Sequence, residues 1–282
     1  MAGRLARVPV VVHTVHGFSF NDSTFGAGYR RCFAWLEAAA ARCCDVLVTV
    51  SDTTLKQAIA HGIAPRSRAV TIYSGIDLTP FGIPVDRQRK LAELGLDAGR
   101  PVVGTVGRLA PSNAPEAVAA IARKLCEQRP DVQFLIVGDG PSMAEVQALT
   151  GGHPRIHLAG YRGDVAQVLR VLDVFVSTAL WGGIGRALTE AMIAGLPVVG
   201  FSACGIPEIV RDGDTGYLVR AGDVNAVVER VLRLLGNPAQ ARRLGLAAKD
   251  MVLSRFDADV MVDQIARLYE RVLAEKSRSR ER

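Results

Sequence analysis

The stretch Trp181–Val199, WGGIGRALTEAMIAGLPVV, decides which fold we expect for this chain. A short apolar run, Val174–Ser177, precedes it and predicts a buried strand. The loop that follows is rich in glycine: Gly182, Gly183 and Gly185. A helix is predicted over Arg186–Ala194, and a second strand begins at Val198. A strand, a glycine-rich loop and a helix N-terminus present unpaired backbone N–H groups to a phosphate, although an ordinary strand-to-helix turn fits the same pattern.

One acidic residue, Glu190, lies inside the predicted helix, less than two turns from its start. A carboxylate at this position suits the paired hydroxyls of a ribose, as in dinucleotide sites. The alternative is a structural or solvated helix glutamate.

The alternation of strand and helix extends on both sides of this stretch. In the first 82 residues, apolar runs predict strands at Val8–His13, Asp45–Val50 and Arg68–Tyr73. Helices are expected at Tyr29–Cys44 and after the N-cap Ser51. From about Gly82 the pattern restarts, with strands at Val102–Val106, Val132–Val137, Arg155–Leu158, Val174–Ser177 and Val198–Phe201. Helices alternate with these strands and close the chain: Val85–Leu94, Pro115–Glu127, Ser142–Leu149, Val165–Leu172, Arg186–Ala194, Val224–Leu235, Pro238–Ser254 and Asp257–Glu275. The pattern predicts an α/β fold with parallel, doubly wound sheets and ligands at the carboxyl ends of the strands.

Composition narrows the class of protein. The 282 residues are 49% hydrophobic and 22% charged, which is enough for one large core or two modest ones. The sequence has no apolar run of roughly 20 residues and no signal-peptide pattern. Five cysteines without a C-x-x-C pair fit reduced thiols in a cytoplasmic protein. The net charge of +6 leaves anionic partners open, but aromatic and basic residues are not interleaved as nucleic-acid binding would need, and we expect the basic tail Lys276–Arg282 to be solvated.

The stretch 181–199 resembles the donor-binding motif of the retaining glycosyltransferases of family four. Seven positions match the second half of that motif: Gly183, Gly185, Glu190, Ala191, Met192, Gly195 and Pro197. The chain departs from the motif at Gly182, where the family has a glutamate. The resemblance extends over nearly the whole sequence. It implies a GT-B type fold with two Rossmann-like doubly wound parallel-sheet domains, of which the N-terminal one is incomplete.

The domain organisation follows from this resemblance. We expect a partial N-terminal, acceptor-side domain over residues 1–82 and a nucleotide-sugar-binding domain over residues 83–256. A C-terminal helix over residues 257–282 is expected to return toward the N-terminal domain and to end in the basic tail. About a hundred residues would normally precede residue 1 in the family. We therefore favour a start inside a longer protein over a shortened chain with an exposed sheet edge.

Arg108 is the first candidate for binding a donor diphosphate. It follows the strand Val102–Val106, and a guanidinium gives forked hydrogen bonds to phosphate oxygens. The alternative is a surface arginine at a strand end. The resemblance places Arg108 on the diphosphate and a lysine five residues later, where this chain has Asn113. Asn113 can donate a hydrogen bond but supplies no positive charge.

Other candidates stand at strand ends or are implied by the resemblance. Gly138 closes a strand in a turn that brings backbone close to a ligand or serves only as a turn. Tyr161 or Arg162 is a candidate to stack on a nucleobase, and we expect Asp164 to cap the next helix. His16 lies where the family has its N-domain histidine, and as a lone residue it is more often structural. The predicted catalytic residues are His16 and Arg108, and the predicted donor-binding residues are Gly107, Arg108, Asn113, Gly138, Tyr161, Gly183, Ile184, Gly185 and Glu190.

The resemblance implies transfer of a sugar, with retention of configuration, from a nucleotide-diphosphate sugar to a glycan or lipid-linked acceptor, as in polysaccharide biosynthesis. A UDP-sugar is favoured over a GDP-sugar. No cofactor is expected, and no metal, because no Asp-x-Asp stands where a GT-A enzyme would need one and no His/Cys spacing suits zinc. The basic residues of the first 82 positions are compatible with a peripheral contact at the inner face of the membrane.

Two alternatives to this function stay open. The chain could be a non-catalytic remnant of such an enzyme, since Asn113 and Gly182 replace the usual lysine and glutamate. The second alternative is that the chain is a different GT-B enzyme, such as a sugar-nucleotide epimerase.

Overall fold

The computed structural model describes residues 2–21 and 25–281, and in that part of the chain strands alternate with helices. The strands are β1 Val12–Val15, β2 Val46–Thr49, β3 Ala69–Thr71, β4 Val102–Val106, β5 Gln133–Val137, β6 Ile156–Gly160, β7 Val174–Ser177, β8 Val198–Phe201 and β9 Tyr217–Val219. The α-helices are α1 Ala2–Leu5, α2 Ala27–Arg42, α3 Asp52–Ala60, α4 Thr79–Gly82, α5 Arg87–Glu93, α6 Pro115–Gln128, α7 Met143–Thr150, α8 Val165–Leu169, α9 Arg186–Ile193, α10 Val224–Gly236, α11 Pro238–Leu253 and α12 Ala258–Glu281. The predicted basic tail includes residue 282, which lies outside the described residues.

The chain divides into two compact units. The first unit comprises Met1–Ile76, Trp181–Ile184 and Arg255–Arg282. The second unit comprises Asp77–Leu180 and Gly185–Ser254.

The first unit is built on a three-stranded parallel sheet with the order β1-β2-β3. Side chains alternate between its two faces, as they do along any strand. Leu47 of β2 packs on one face with Ala38, Ala41 and Leu55 from helices α2 and α3. Val46 and Val48 belong to the other face, where Leu268 and Val272 of α12 cover them. Both faces are therefore buried, which explains why β2 is a continuous apolar run.

The first strand differs from its prediction. We expected Val8–His13, and β1 runs from Val12 to Val15. Pro9 has no N–H group to donate to a strand ladder, and pairing with β2 begins only at Val12 opposite Val46. The preceding N–H group, of Val11, donates to the Asp45 carboxylate at 2.8 Å. The apolar run therefore predicted a strand correctly, but its start lies four residues later.

The second unit carries a six-stranded parallel sheet with the order β6-β5-β4-β7-β8-β9. The chain winds outward from β4 to β6 and then returns to β7 on the other side of β4, which makes the sheet doubly wound. The loops that follow β4 and β7 diverge at this switch point and open a crevice at the carboxyl ends of the strands. The parallel, doubly wound α/β fold predicted from the sequence is confirmed.

Three of the five strands predicted in this unit have accurate bounds, whereas β5 starts one residue later than predicted although all its residues are buried. Strands β4, β7 and β8 have the bounds that were predicted. Strand β9 was missed because three residues are too short to show a strand pattern. None of the described helices combines the length and the apolar character that crossing a membrane requires.

Candidate active site

A cavity of about 830 Å³ opens in the second unit at the carboxyl ends of β4 and β7. Four segments line it: the loop after β4, the loop after β6, the start of α9, and the connector that leads to α4. Six of the predicted site residues are among its lining residues: Gly107, Arg108, Asn113, Tyr161, Gly185 and Glu190. The sheet topology explains the grouping, because the carboxyl ends of parallel strands lie at one edge of the sheet.

The loop after β4 presents an unpaired cation to the cavity. Arg108 is exposed, and its guanidinium makes no hydrogen bond or ion pair with any residue that the structure describes. Asn113 donates from Nδ2 to the backbone carbonyl of Arg108 at 2.7 Å. Its amide therefore closes the turn on which Arg108 stands. The Thr178 hydroxyl donates to the Asn113 carbonyl at 2.5 Å and anchors the same turn to the end of β7.

Helix α9 contributes the acidic residue of the cavity wall. Glu190 is buried, and its Oε1 accepts a hydrogen bond from Nε of Arg186 at 2.7 Å. Arg186 stands one turn earlier on the same helix, and 69% of its side chain is exposed. The N-cap residue Gly185, at φ 91°, has no side chain with which to cap the first N–H groups of the helix. A carboxylate, a guanidinium and a helix N-terminus therefore meet at this wall.

The loop after β6 and helix α5 share a cluster of four charged side chains. Arg162 and Asp164 belong to the loop, and Lys90 and Glu93 belong to α5. Asp164 receives hydrogen bonds from Arg162 at 2.6 and 2.7 Å and from Lys90 at 2.8 Å. Glu93 bonds to Arg162 and, at 2.7 Å, to Lys90. Hydrogen bonds from Arg162 and Lys90 hold the pKa of the Asp164 carboxyl well below its usual range, and hydrogen bonds to Asp164 and Glu93 raise the pKa of Arg162.

This cluster corrects the prediction that Asp164 caps α8. Asp164 stands at the N-cap position of α8, but its side chain makes no capping hydrogen bond because Arg162 and Lys90 occupy its carboxylate. The same ion pairs occupy edges of the Arg162 guanidinium, and Arg162 lines the cavity. Tyr161 is 78% exposed and also lines the cavity. Stacking of either side chain on a base stays a prediction.

Packing within the protein requires glycine at position 138. Its φ is 127°, and an added Cβ would lie 1.9 Å from the carbonyl oxygen of Gly107. Its N–H group donates to the carbonyl of Gly160 at 2.7 Å, in the pairing of β5 with β6. Among the described residues that line the cavity, Gly138 does not occur. The close approach that a glycine permits here is between two protein segments.

Three further predicted residues belong to the first unit. His16 is exposed just after β1, and His13, inside the strand, is the more buried of the two, as predicted. A Cβ added at Gly183 would lie 3.3 Å from the His16 carbonyl oxygen, so this part of the glycine-rich loop packs beside His16. Ile184 is buried. The roles of His16, Gly183 and Ile184 stay predictions.

The departure at Gly182 has a conformational consequence. Gly182 adopts φ 124°, a backbone conformation that side chains rarely adopt. Nothing described lies within 4 Å of a Cβ added there, so space alone would admit a larger residue. A glutamate at this position would be strained unless the loop changed its backbone conformation.

Two charged residues that line the cavity, Arg186 and Asp77, were not predicted as site residues. Arg186 was predicted only as the first residue of a helix. The Asp77 carboxylate accepts a hydrogen bond from the Thr79 N–H at 2.9 Å. Hydrogen bonds from Thr79 and, to a smaller extent, the positive charge of Arg186 lower the pKa of Asp77. Both residues stand beside predicted elements, but no motif separates them from ordinary surface charges.

The described residues contain no group of three or more His, Cys, Asp or Glu side chains placed to hold a metal ion. The expectation of a reaction without a metal or cofactor stays a prediction.

Comparison with known proteins matches both parts of the chain to glycosyltransferase families. Residues 100–237 match the glycosyl transferases group 1, and residues 1–80 match Glycosyltransferase Family 4. The chain is 31% identical, over 276 residues, to the UDP-Gal:alpha-D-GlcNAc-diphosphoundecaprenol alpha-1,3-galactosyltransferase of Escherichia coli, covering 95% of this chain and 71% of that protein. It is also 31% identical to the GDP-mannose-dependent alpha-mannosyltransferase of Mycolicibacterium smegmatis, covering 96% of this chain and 68% of that protein.

A solved structure shows the same fold. The Anabaena protein Alr3699/HepE, in complex with UDP and glucose, superposes with a TM-score of 0.83 at 23% identity, covering 95% of this chain and 73% of that one. With the sequence matches, this shows that the chain belongs to the family-four glycosyltransferases and has their GT-B fold.

Proposed function

We propose that this protein transfers a sugar from a nucleoside-diphosphate sugar to a glycan or lipid-linked acceptor with retention of configuration. The observation that carries the proposal is the cavity of the second unit, where Arg108 stands unpaired and Glu190 forms part of the wall. Its volume of about 830 Å³ lies in the range of small-molecule sites.

The phosphates, the ribose and the base of a nucleoside-diphosphate sugar each have a counterpart in this cavity. The guanidinium of Arg108 and the N-terminus of α9 suit the diphosphate, because both present N–H donors and positive charge. The carboxylate of Glu190 suits the ribose hydroxyls. The exposed ring of Tyr161 suits a stacked base.

The same groups favour departure of the nucleoside diphosphate. Negative charge builds up on the diphosphate as its bond to the sugar breaks, and donors already in place around it stabilise that charge without reorganisation. We assign this role to Arg108 and the start of α9. The proposal includes a supporting catalytic role for His16, and chemistry that needs neither a metal nor a cofactor. If the acceptor attacks from the face that the diphosphate leaves, the configuration is retained.

The names of the relatives support the choice of donor and acceptor. The Escherichia coli relative is named for UDP-galactose and for a diphosphoundecaprenol-linked acceptor, and the mycobacterial relative for GDP-mannose. We propose a UDP-sugar and a lipid-linked acceptor for this chain. Its first 82 residues contain eight Lys and Arg against five Asp and Glu, which suits a peripheral contact, on the cytoplasmic side, with an anionic membrane.

The second candidate is a protein that binds the nucleotide but transfers nothing. Two observations favour it. The side-chain amide of Asn113 donates to the Arg108 carbonyl, and Asn113 brings no charge to the cavity. Gly182 has no side chain, and its backbone conformation disfavours the glutamate found in the family.

Calorimetric titration with UDP and GDP, followed by assay of nucleotide release from UDP-sugars, separates these candidates. We expect micromolar binding of UDP, and turnover whose product keeps the anomeric configuration when examined by NMR. Arg108→Ala and Glu190→Ala should each weaken UDP binding by roughly 1.5–3 kcal/mol, because each removes charged hydrogen bonds. His16→Ala should lower the transfer rate.

Glu229→Ala is the matched control, since Glu229 is an exposed glutamate of α10 that does not line the described part of the cavity. Unchanged affinity in both site variants would show that the nucleotide binds elsewhere. Binding without turnover on any UDP-sugar or GDP-sugar would favour the second candidate.

A further inference from the structure

We infer that Arg186 is a further donor-binding residue, whose guanidinium brings to the diphosphate the second positive charge that Asn113 does not supply. The inference rests on the proposed function, because it assigns a residue to the same cavity.

Three cationic side chains line the described part of the cavity: Arg108, Arg162 and Arg186. Arg162 bonds to Asp164 and Glu93 through Nε and Nη2, which leaves only Nη1 of its two terminal nitrogens without a bond to these residues. Arg108 is unpaired. Arg186 is therefore the second arginine of this wall that keeps both terminal nitrogens for a ligand.

The pair between Arg186 and Glu190 leaves most of the guanidinium available. Only Nε of Arg186 bonds to Glu190, at 2.7 Å, and the side chain is 69% exposed. A guanidinium has five N–H donors, and neither Nη atom of Arg186 bonds to any residue that the structure describes. Glu190 thus holds the guanidinium against the cavity wall while both terminal nitrogens remain free for a phosphate.

The place of Arg186 in its helix gives a second argument. Arg186 is the first residue of α9, where the helix dipole favours negative charge and opposes a cation. The helix dipole therefore does not favour an arginine at this position, and the i,i+4 pair with Glu190 uses only its Nε. A bound anion at the helix N-terminus would be stabilised by the dipole and by the arginine together. The charge of Arg186 also reaches the rim of the cavity, because it contributes to the lowered pKa of Asp77.

The experiment compares UDP with uridine, which has the same base and ribose but no phosphate. Affinities of the full 282-residue protein are measured by calorimetry for UDP and by ligand-observed NMR for uridine. Arg186→Met removes the charge and keeps an unbranched side chain, and we expect it to weaken UDP binding at least ten-fold and uridine binding less than two-fold. Arg186→Lys, which retains the charge, should recover part of the UDP affinity.

Arg123→Met is the matched control. Arg123 forms an i,i+4 pair with Glu127 on α6, as Arg186 does with Glu190, but it does not line the described part of this cavity. Its replacement removes the same charge and the same kind of pair, and UDP affinity should not change.

The outcomes distinguish this inference from the proposed function. If the unmodified protein binds UDP and Arg186→Met binds it equally well, the inference is wrong and the proposed function stands. Equal weakening of UDP and uridine would mean that Arg186 only orients Glu190, which also overturns the inference. If the unmodified protein binds neither UDP nor GDP, the proposed function and the inference both fail.

Discussion

At the scale of single residues, two glycines of the second unit, one after β5 and one after α7, differ in what surrounds them. Gly138 and Gly152 both have positive φ, but an added Cβ meets the Gly107 carbonyl oxygen at 1.9 Å in the first case and nothing within 4 Å in the second. A positive φ alone therefore does not show whether a close contact also requires a glycine. The close approach at Gly138 lies between the ends of β4 and β5, where the Gly107 N–H also donates to the Val137 carbonyl at 2.9 Å.

We predict that Gly138→Ala lowers the free energy of unfolding by about 3 kcal/mol, from backbone strain and steric overlap together. Gly152→Ala, the control, should lose only about 1 kcal/mol, from the left-handed conformation alone. Urea unfolding followed by circular dichroism measures both variants. Equal losses in the two variants would show that the backbone at Gly138 moves away from Gly107 without cost.

At the scale of elements, the charged cluster connects the loop after β6 to α5. Lys90 and Glu93 belong to α5, while Arg162 and Asp164 belong to the loop that carries Tyr161. The Asp164 side chain is 23% exposed, so water screens these pairs less than it screens an ordinary surface pair. The cluster therefore fixes the loop that presents Tyr161 to the cavity.

The lowered pKa of Asp164 predicts a pH dependence of stability. A carboxyl whose pKa is lower in the folded state than in the unfolded chain stabilises the fold above its unfolded value, about 3.9, and this stabilisation is lost as pH falls through its folded value. Asp164→Asn should lower the free energy of unfolding by about 1–3 kcal/mol at pH 7. The difference from the unmodified protein should shrink below about pH 3.9, because the unfolded chain then binds a proton at this carboxyl while the folded state keeps it ionised. Lys90, Arg162 and Glu93 are the charged groups that face Asp164, and Glu93 titrates in the same acid range.

Urea unfolding at pH 7, 5 and 3 measures this difference. Asp214→Asn is the control, because Asp214 forms an exposed pair with Arg211 at 3.9 Å, and we expect it to change stability by less than about 0.5 kcal/mol. A difference for Asp164→Asn that stays constant down to pH 3 would mean that the cluster does not stabilise the loop.

At the scale of the whole molecule, the division into two units predicts how a ligand acts on stability. All the residues that line the described cavity belong to the second unit, so bound UDP should stabilise that unit. With UDP at about 100 times its Kd, the gain is about 2.7 kcal/mol. For a unit of this size, that corresponds to a rise of about 5–10 °C in its unfolding midpoint.

Differential scanning calorimetry with and without UDP measures this rise. Glu190→Ala should show a much smaller rise at the same UDP concentration, because its affinity is lower. A rise no larger than the one that inorganic phosphate produces would contradict specific nucleotide binding.

The sequence by itself determined the fold class and most of the cavity wall. Strands β4, β7 and β8 were predicted with their bounds because a strand buried on both faces is a continuous apolar run, which local sequence shows directly. Arg108, Asn113, Tyr161 and Glu190 were placed near one another because parallel strands bring their carboxyl ends to the same edge. Family resemblance then supplied the chemistry for these positions.

Only the tertiary structure decided which charges remain free. Asp164 was expected to cap a helix, but Lys90, 74 residues earlier in the chain, comes within 2.8 Å of it and, together with Arg162, occupies its carboxylate. The sequence does not distinguish Arg162 from Arg186. In the structure, Arg162 uses a terminal nitrogen to pair with Glu93, whereas Arg186 pairs with Glu190 through Nε and keeps both terminal nitrogens free of that pair. The physical reason is that an ion pair depends on which carboxylates the fold brings within about 4 Å, and local sequence does not contain that distance.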